Sequence, residues 1–443
     1  MLKTFKMGGI HPEENKLSSQ AAIEVFPLPE KVYISVSQHL GVPAVPIVAK
    51  GDKVKTGDLI AKAEAFISAN IHSSVSGTVE KIDEWIDTSG YKVPHIIIKV
   101  EGDEWNETID RTPELIRDIK LSPEEIVQKI KEMGVVGLGG AAFPTHVKFM
   151  IPEGKKADSL IINAVECEPY LTSDHRLMLE RPHELLIGTQ ILKKALKVDK
   201  AYIGIENNKK DAIELLSKLA VEYPGIEIVP LKMKYPQGAE KQLIKAILNR
   251  EVPSGKLPID IGCVVNNSGS TFATYEAVQK NKPLFERVVT VTGKTVGKPS
   301  NFLVRIGTPI IELLNKVEID LKTVGKIISG GPMMGKAVIS TEIPVTKGTS
   351  GLLLMDESES HRGIVRNCIR CAKCVEACPM GLEPYLIAIL VKNEAWDEVE
   401  KANVMDCMEC GCCQFTCPSY RPLLDYLRVG KRKVGQIIRN RAK

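Results

Sequence analysis

The chain has 443 residues, of which 44% are hydrophobic and 26% are charged, and its formal net charge is +4. This length predicts about three domains, and the composition is that of a water-soluble protein with buried cores. No apolar run approaches the roughly 20 residues of a membrane-spanning helix, and the N-terminus lacks the apolar core of a signal peptide. Because the basic residues are not interleaved with aromatic ones, nucleic acid is not an expected partner.

The first 103 residues divide into a leader and a β-rich segment. Residues 1–29 form the leader and are expected to be mostly irregular. Residues 30–103 contain an alternating strand at Val32–Val36 and further short strands separated by Gly-Asp turns. The pattern resembles the barrel-sandwich domain of biotinyl and lipoyl carriers. Lys62 lies near the expected hairpin tip, but the Met-Lys-Met setting of a biotin site is absent, so a structural role is expected for this domain.

A glycine-rich loop follows the first predicted helix, which covers residues 114–133 and has Ser122 as an N-cap. Residues 137–142 match the Gly-x-Gly-x-x-Ala expression of a dinucleotide-binding turn. That turn normally follows a strand, whereas this one follows a helix, so a Rossmann fold is not predicted. Clustered glycines expose backbone N–H groups, and Lys148 adds positive charge, so the loop still favours a phosphate.

Strands and helices alternate through the rest of residues 104–284, which predicts a largely parallel sheet. The predicted strands are 159–163, 201–205, 227–231 and one that starts at 264, and the predicted helices are 182–196, 209–222, one opened by 235–241 and one that ends at 277. Ligands of such sheets gather at the carboxyl ends of the strands. The polar segment Asn163–Tyr170 is therefore a candidate site.

Residues 285–350 are predicted to form a third unit. Val288–Gly293 and Gly297–Val304 read as the two strands of a hairpin, and Thr308–Val317 reads as a short helix. The unit resembles a β-grasp module of the soluble-ligand-binding type. The glycine-rich stretch 330–335 and residues 348–355 are expected to connect this unit to the last domain, assigned to 351–443.

Eight of the eleven cysteines form two runs of identical spacing, each ending in Cys-Pro, and each cysteine recurs 39 positions later (407 − 368). The runs are Cys368, Cys371, Cys374 and Cys378, then Cys407, Cys410, Cys413 and Cys417. This is the spacing of bacterial-type ferredoxins that hold [4Fe–4S] clusters, in which the fourth cysteine ligates the other cluster. The prediction is one cluster on Cys368, Cys371, Cys374 and Cys417, and a second on Cys407, Cys410, Cys413 and Cys378.

Zinc and disulfides are the alternatives for these cysteines. Zinc commonly uses two CxxC pairs with a long spacer, and often histidine, whereas each run here holds four cysteines and no histidine. Cys412 is off the ligand register and is expected to ligate neither cluster. Helix-like stretches at 383–392 and 396–402 separate the runs and predict an α-helical ferredoxin domain. Cluster ligation needs a reducing compartment, which favours the cytoplasm.

The C-terminal tail is strongly basic. From Tyr426 onward there is no acidic residue, and the basic ones are Arg428, Lys431, Arg432, Lys433, Arg439, Arg441 and Lys443. Two readings stay open: a surface that attracts anionic lipid or an acidic protein, and a solvated, disordered terminus.

The order of these segments resembles the RnfC family, the C subunits of the Rnf electron-transport complexes, over essentially the whole chain. The middle part is similar to the NADH-binding flavoprotein subunit of respiratory complex I. The motifs that carry this likeness are Gly-Leu-Gly-Gly-Ala-Ala-Phe-Pro-Thr, Asn-Ala-Val-Glu-Cys-Glu-Pro-Tyr, the Tyr-Pro-Gln-Gly turn and the Asn-Asn turn. The sequence departs from complex I at Leu138, which replaces an arginine, at Val165, which replaces an acidic residue, and at Ala239, which replaces a glutamate.

The resemblance implies the following site, position by position. FMN phosphate would lie at Gly137, Gly139, Gly140 and Lys148; the flavin or its ribityl chain would contact Asn163 and Glu166; and Tyr235, Gly238, Asn266 and Asn267 would complete the pocket. Phe143, Glu168 and Glu240 would lie on the NADH side. No side chain is implied as a general acid or base, because the hydride chemistry belongs to the cofactors.

The resemblance also implies a function. It implies a multidomain α/β plus β protein with barrel-sandwich, flavin/NADH-binding, β-grasp and two-cluster ferredoxin domains. Electrons would pass between NAD(H), FMN and two [4Fe–4S] clusters, and between these clusters, other Rnf-type membrane and iron–sulfur subunits and, indirectly, ferredoxin. This transfer would be coupled to Na⁺ or H⁺ translocation. The protein would lie at the cytoplasmic face of the cell membrane. Two alternatives are a soluble flavin and iron–sulfur cobalamin reductase of the propanediol-utilisation type and a non-catalytic electron-relay scaffold.

Overall fold

The structure is a computed structural model that describes residues 2–441. The leader is mostly irregular, as predicted, but it packs against other domains. Lys3 forms a bridge with Leu231, and Ile10 pairs with Tyr235. Strand β1 (Ile23–Val25) joins a later sheet by pairing in parallel with residues 301–303. No helix within residues 2–441 is long and apolar enough to cross a membrane.

The β-rich segment forms two small sheets around one apolar core. Its strands are β2 (Lys31–Ser35), β3 (Val45–Pro46), β4 (Lys53–Val54), β5 (Leu59–Lys62), β6 (Ile71–His72), β7 (Gly77–Ile86) and β8 (Lys92–Val100). The sheet orders are β2-β8-β7-β4 and β3-β5-β6. Val32, Ile34, Ile96 and Ile98 fill the space between the sheets and are fully buried. Alternation of inward and outward side chains along these strands explains why the sequence pattern located them.

The α/β domain that follows the β-rich segment is a layered structure. Its elements are α1 (Pro123–Glu132), α2 (Thr145–Phe149), β9 (Ser159–Asn163), α3 (Ser173–Glu180), α4 (Pro182–Leu196), β10 (Lys200–Glu206), α5 (Lys210–Ala220), β11 (Ile226–Leu231), α6 (Glu240–Leu248), β12 (Cys263–Asn267) and α7 (Ser268–Gln279). The sheet order is β11-β10-β9-β12 and every pair is parallel, as predicted. Leu160 and Ile162 pack beneath α4, and Ile161 packs on the opposite face with α6.

Two details of this domain differ from the sequence prediction. The first helix begins at Pro123 and not at residue 114. Ser122 Oγ accepts a hydrogen bond from the N–H of Glu125, and the Glu125 carboxylate accepts one from the N–H of Ser122. This reciprocal capping box fixes the start of the helix, so residues 114–121 stay outside it. Helices α2 and α3 were not predicted.

A six-stranded sheet follows. Its further strands are β13 (Glu286–Thr292), β14 (Ser300–Arg305), β15 (Val324–Ser329), β16 (Lys336–Ala337) and β17 (Gly351–Asp356), and α8 (Ile310–Lys316) packs on it. The predicted hairpin is present as β13 and β14. Strand β17 lies between β13 and β15. The predicted domain boundary at residue 350 is therefore wrong, because residues 351–356 form a central strand of this sheet.

The last domain is helical, as predicted. Its helices are α9 (Glu357–Ser360), α10 (Lys373–Glu376), α11 (Pro384–Lys392), α12 (Trp396–Lys401), α13 (Cys412–Phe415) and α14 (Leu423–Arg441). The basic tail forms α14, so a disordered terminus is wrong for residues 423–441, while Lys443 lies outside the described residues. Glu409 pairs with Arg428 and Lys431, and Arg441 pairs with Asp397 and Glu400. Attraction of the tail to lipid or protein stays a prediction.

Candidate functional site

The four parallel strands of the α/β domain end at one edge of the sheet. Asn163 ends β9, Glu206 ends β10, Leu231 ends β11 and Asn267 ends β12. The carboxyl edge of an open parallel sheet is where ligands of such folds bind. The glycine-rich loop, the Asn163–Tyr170 segment and the turn before α6 all meet at this edge.

The glycine-rich loop is held against the start of α7. Ser270 Oγ accepts a 2.8 Å hydrogen bond from the N–H of Leu138 and donates a 3.0 Å bond to the carbonyl of Val136. A Cβ added to Gly139 would lie 2.5 Å from Asn267 Nδ2, whereas one added to Gly140 would meet nothing within 4 Å. Only glycine allows this approach at residue 139, and residue 140 faces open space.

Lys148 supplies positive charge beside this loop. Its Nζ lies 3.2 Å from Glu240 Oε1 and donates a 3.0 Å hydrogen bond to the carbonyl of Val265. It therefore lies between the last strand and the start of α6. A glycine cradle, the N-terminus of the 12-residue helix α7 and a lysine fit the phosphate end of a flavin nucleotide.

Asn163 and Gly238 are brought together at the centre of the edge. Asn163 Nδ2 donates a 2.7 Å hydrogen bond to the carbonyl of Gly238, and the N–H of Gly238 lies 3.3 Å from Cys167 Sγ. A Cβ at residue 238 would lie 3.2 Å from that sulfur. The turn that precedes α6 thus closes directly on the end of β9.

The Glu166 carboxylate caps the N-terminus of helix α3. It accepts hydrogen bonds from the N–H groups of Asp174 at 2.7 Å and His175 at 3.2 Å, and from Ser173 Oγ at 3.3 Å. It thereby compensates the positive end of α3. Asn267 Nδ2 donates a 2.8 Å bond to Asp174 Oδ2. Burial and the neighbouring Glu166 carboxylate raise the pKa of Asp174 above its usual range.

The remaining predicted residues divide between the loop and the domain junction. Phe143 accepts the N–H of Gly137 through its carbonyl, and Asn266 Nδ2 donates to Thr271 Oγ1. Tyr235 and Glu168 make their hydrogen bonds at the domain junction, with residues outside the α/β domain. The Tyr235 hydroxyl donates to the carbonyl of Cys410 at 2.8 Å. The Glu168 carboxylate accepts the N–H groups of Met333 and Met334 at 3.1 and 2.8 Å.

Two lysines support the Asn163–Tyr170 segment, the half-buried Lys16 and the buried Lys209, and the sequence analysis missed both. Lys16 Nζ donates to the carbonyls of Glu166, Glu168 and Leu171 at 2.9, 2.9 and 2.6 Å. Lys209 Nζ donates to the carbonyl of Val165 at 2.8 Å. Burial, and then the charge of Lys209, lower the pKa of Lys16 to about 8. No local pattern marks Lys16, because its partners lie about 150 residues away in sequence.

Five cysteines line one cavity in the last domain, and four of them are predicted cluster ligands. These four, here called the inner set, are Cys378, Cys407, Cys410 and Cys413. Apolar side chains such as Leu424 complete the lining, and burial raises the pKa of Cys407 to about 11. A dry, all-sulfur donor set fits an iron–sulfur cluster. Cys412 also lines the cavity and is fully buried.

The other four predicted ligands form the outer set, which consists of Cys368, Cys371, Cys374 and Cys417. Cys374 and Cys417 pack against the same buried side chains, Leu423 and Ala388. Burial raises the pKa of the Cys374 thiol, and the nearby charges of Cys417 and Cys368 raise it further. Within residues 2–441, no three His, Cys, Asp or Glu side chains converge on one point as ligands of a single metal ion would.

Known proteins resemble this chain over 97% of its length. The C subunit of the proton-translocating ferredoxin:NAD(+) oxidoreductase complex of Clostridium ljungdahlii is 45% identical over 97% of this chain and 93% of its own length. The C subunit of the Na(+)-translocating complex of Acetobacterium woodii is 42% identical over 97% of both chains. The chain therefore belongs to the family of C subunits of ion-translocating ferredoxin:NAD(+) oxidoreductase complexes.

Two family models cover parts of this RnfC-family chain. Residues 3–103 match the RnfC barrel sandwich hybrid domain, and residues 130–276 match the Nuo51 FMN-binding domain. The first match confirms the predicted barrel-sandwich domain and takes in most of the leader. The second contains the glycine-rich loop and all four strand ends of the sheet edge. An NAD⁺-reducing [NiFe]-hydrogenase in the air-oxidised state shares the fold over 71% of this chain and 63% of its own, with a TM-score of 0.51 and 18% identity.

Proposed function

We propose that this protein exchanges electrons with NAD(H) through FMN at the sheet edge, and with partner subunits through two [4Fe–4S] clusters. The observation that carries the proposal is the Tyr235–Cys410 contact, which joins the sheet edge to the cysteine-lined cavity. The matched FMN-binding domain model supports the flavin. The paired cysteine runs support the clusters.

FMN supplies the adaptor chemistry, since it accepts a hydride from NADH and passes electrons singly to iron–sulfur clusters. The chain's own residues hold and orient it. Gly139 and Gly140 leave room for the phosphate, with Lys148 and the start of α7 opposing its charge. Asn163 and Gly238 hold the centre of the edge, and Lys16 fixes the backbone beneath it. Phe143, half-buried at the end of the glycine-rich loop, would lie on the NADH side.

The inner set would hold one cluster and the outer set the other, with Cys378 and Cys417 exchanged between the runs. Cys412 packs beside the inner set without ligating it. Iron would bind these cysteines as thiolates, and burial opposes deprotonation of Cys407 by raising its pKa.

The complex and its location complete the proposal. The protein docks peripherally on other Rnf-type membrane and iron–sulfur subunits at the cytoplasmic face, where ferredoxin-linked electron transfer is coupled to ion movement. The names of its relatives include both a proton-translocating and a Na(+)-translocating complex, so either coupling ion is compatible. These names favour this function over a cobalamin reductase.

The test is anaerobic reconstitution of the full chain with iron, sulfide and FMN. We expect about eight iron atoms per chain, flavin absorbance, and bleaching of both chromophores on addition of NADH. NADPH serves as the matched nucleotide control. Cluster absorbance without flavin binding or any response to NADH would overturn the proposal and leave an electron-relay scaffold.

A further inference from the structure

The inner set lies at a junction of three parts of the chain. The Tyr235 hydroxyl contacts the Cys410 carbonyl from the α/β domain, and Gln242 Nε2 donates to the carbonyl of Pro379 at 3.1 Å. The N–H of Gly9, in the leader, donates to the carbonyl of Ala377 at 3.0 Å. Each inner cysteine is at most 8% exposed. Contacts from the leader and the α/β domain therefore cover part of the surface around this set.

A chain of contacts leads from the sheet edge to the inner set. Asn163 bonds to Gly238, and Gly238 lies against Cys167. Cys167 packs with Tyr235 and Cys410 in one apolar cluster. Electron transfer between centres weakens with distance, so a cluster in this packed position is the one suited to exchange with the flavin.

The outer set is open to solvent. Cys371 is exposed, and Cys368, Cys374 and Cys417 are each partly exposed. Both cysteine runs contribute to the surrounding surface. The N–H of Arg366 donates to the carbonyl of Ser419, and Ser419 Oγ donates to the carbonyl of Asn367, both at 3.0 Å.

This surface, here called the outer-cluster face, is both apolar and basic. Its exposed apolar side chains are Ile364, Val365, Ile369, Phe415 and Tyr420, with exposed fractions between 53% and 81%. Between residues 362 and 373 there are four basic residues and no acidic one. Arg362 pairs with Asp425, and Arg366, Arg370 and Lys373 are exposed. An apolar patch with an excess of positive charge around it favours a protein-binding surface for an acidic partner.

We propose that the inner set carries the flavin-side cluster and the outer set the exit cluster, and that the outer-cluster face docks an acidic one-electron carrier subunit of the same complex. This rests on the proposed function. Oxidation of one NADH gives NAD⁺, one proton and two electrons, so the carrier is reduced twice per NADH. In the opposite direction, two electrons and one proton from solvent return to NAD⁺.

The order of the clusters is tested with ligand variants of the reconstituted full chain. In Cys371→Ser, NADH should still reduce the inner cluster, seen by electron paramagnetic resonance in samples frozen within milliseconds. In Cys410→Ser, NADH should leave the outer cluster oxidised, whereas dithionite should reduce it and so prove that it is assembled. Reduction of the outer cluster by NADH at the native rate in Cys410→Ser would overturn the order.

Docking is tested with membranes from cells that lack this chain but retain the other subunits. We expect Arg366→Glu/Arg370→Glu to bind these membranes at least tenfold more weakly than the native chain, and Ile369→Ser to weaken binding without a change of charge. Lys50→Glu/Lys53→Glu is the control, because it makes the same charge change at exposed positions of the barrel-sandwich domain, away from the basic tail. Native binding by the first variant, or loss of binding by the control alone, would overturn the docking face.

These outcomes separate the inference from the proposed function. If the native chain does not respond to NADH, the proposed function fails, while membrane binding still reports on the docking face. If NADH bleaches the native chain and the Arg366→Glu/Arg370→Glu variant equally, and only the variant fails to bind, the docking face stands.

Discussion

The Tyr235 hydroxyl donates a 2.8 Å hydrogen bond to the Cys410 carbonyl across 175 positions of sequence. Tyr235 is only 2% exposed and comes from the turn that closes the sheet edge. Cys410 belongs to the inner set. This single contact places the candidate flavin site and the candidate cluster in one continuous packed region. A substitution at either site is therefore expected to alter the other.

Replacing Tyr235 with Phe should destabilise the chain by about 1 kcal/mol, because a buried carbonyl loses its donor while the ring still fills its space. The measurement is the shift of the chemical denaturation midpoint. Tyr91→Phe is the control, since Tyr91 is 74% exposed. The electron paramagnetic resonance spectrum of the inner cluster should also change, because Cys410 is its proposed ligand. An unchanged spectrum and midpoint would contradict the assigned contact.

Gly139→Ala and Gly140→Ala should separate structural cost from ligand contact. A Cβ at residue 139 would lie 2.5 Å from Asn267 Nδ2, so this variant should lower both thermal stability and FMN affinity. A Cβ at residue 140 meets open space, so stability should hold while FMN binds at least tenfold more weakly. Isothermal titration with FMN and a thermal melt measure the two effects. Native FMN affinity in Gly140→Ala would remove this glycine from the phosphate site.

Much of the α/β domain could be predicted because its signals are local. Pro182 and the apolar periodicity after it located α4, and parallel strands followed from the alternation of elements. The position of β17 could not be predicted, because Gly351 pairs with Thr290 in a distant strand. The site residues likewise divide into those marked by local sequence and those placed by contacts between distant segments. Glycines at a turn are visible in sequence, whereas the directions of Tyr235 and Glu168 depend on how the domains pack.

Glu168 should make stability depend on pH. Loss of water around its carboxylate raises its pKa from 4.5 to about 7, although the N–H groups of Met333 and Met334 oppose the shift. Between these values the folded chain binds more protons than the unfolded chain, so stability falls as pH rises. The contribution is full below pH 4.5 and lost through pH 7, and amounts to about 3 kcal/mol.

Glu168→Gln should remove that dependence, because the amide keeps an acceptor oxygen and does not titrate. Melting temperatures of the two chains are compared between pH 5 and 8, where other groups contribute equally to both. The difference between them should grow in favour of the variant as pH rises. Parallel curves would show that Glu168 titrates normally.

Lys16→Met should disrupt the sheet edge from a residue of the leader. The variant leaves the carbonyls of Glu166, Glu168 and Leu171 without their shared donor. Loss of hydrogen bonds to a charged donor should cost about 2 to 3 kcal/mol and weaken FMN binding. Lys50→Met, at an exposed position, is the control. Equal FMN affinity in both variants would show that the leader does not support the site.

Cys378→Ser and Cys412→Ser should distinguish crossed ligation from ligation by neighbours in sequence. Cys378 belongs to the first run, but its side chain lines the cavity with Cys407, Cys410 and Cys413. Its replacement should therefore perturb the cluster of the second run and leave the exposed outer cluster unchanged. Cys412 lines the same cavity, so position alone does not exclude it. Its place in α13, off the repeat spacing, predicts that Cys412→Ser keeps about eight irons per chain. Iron analysis and electron paramagnetic resonance of the dithionite-reduced chains measure both effects. Loss of the inner-cluster signal in Cys412→Ser, with that signal retained in Cys378→Ser, would show that Cys412 is the ligand and Cys378 is not.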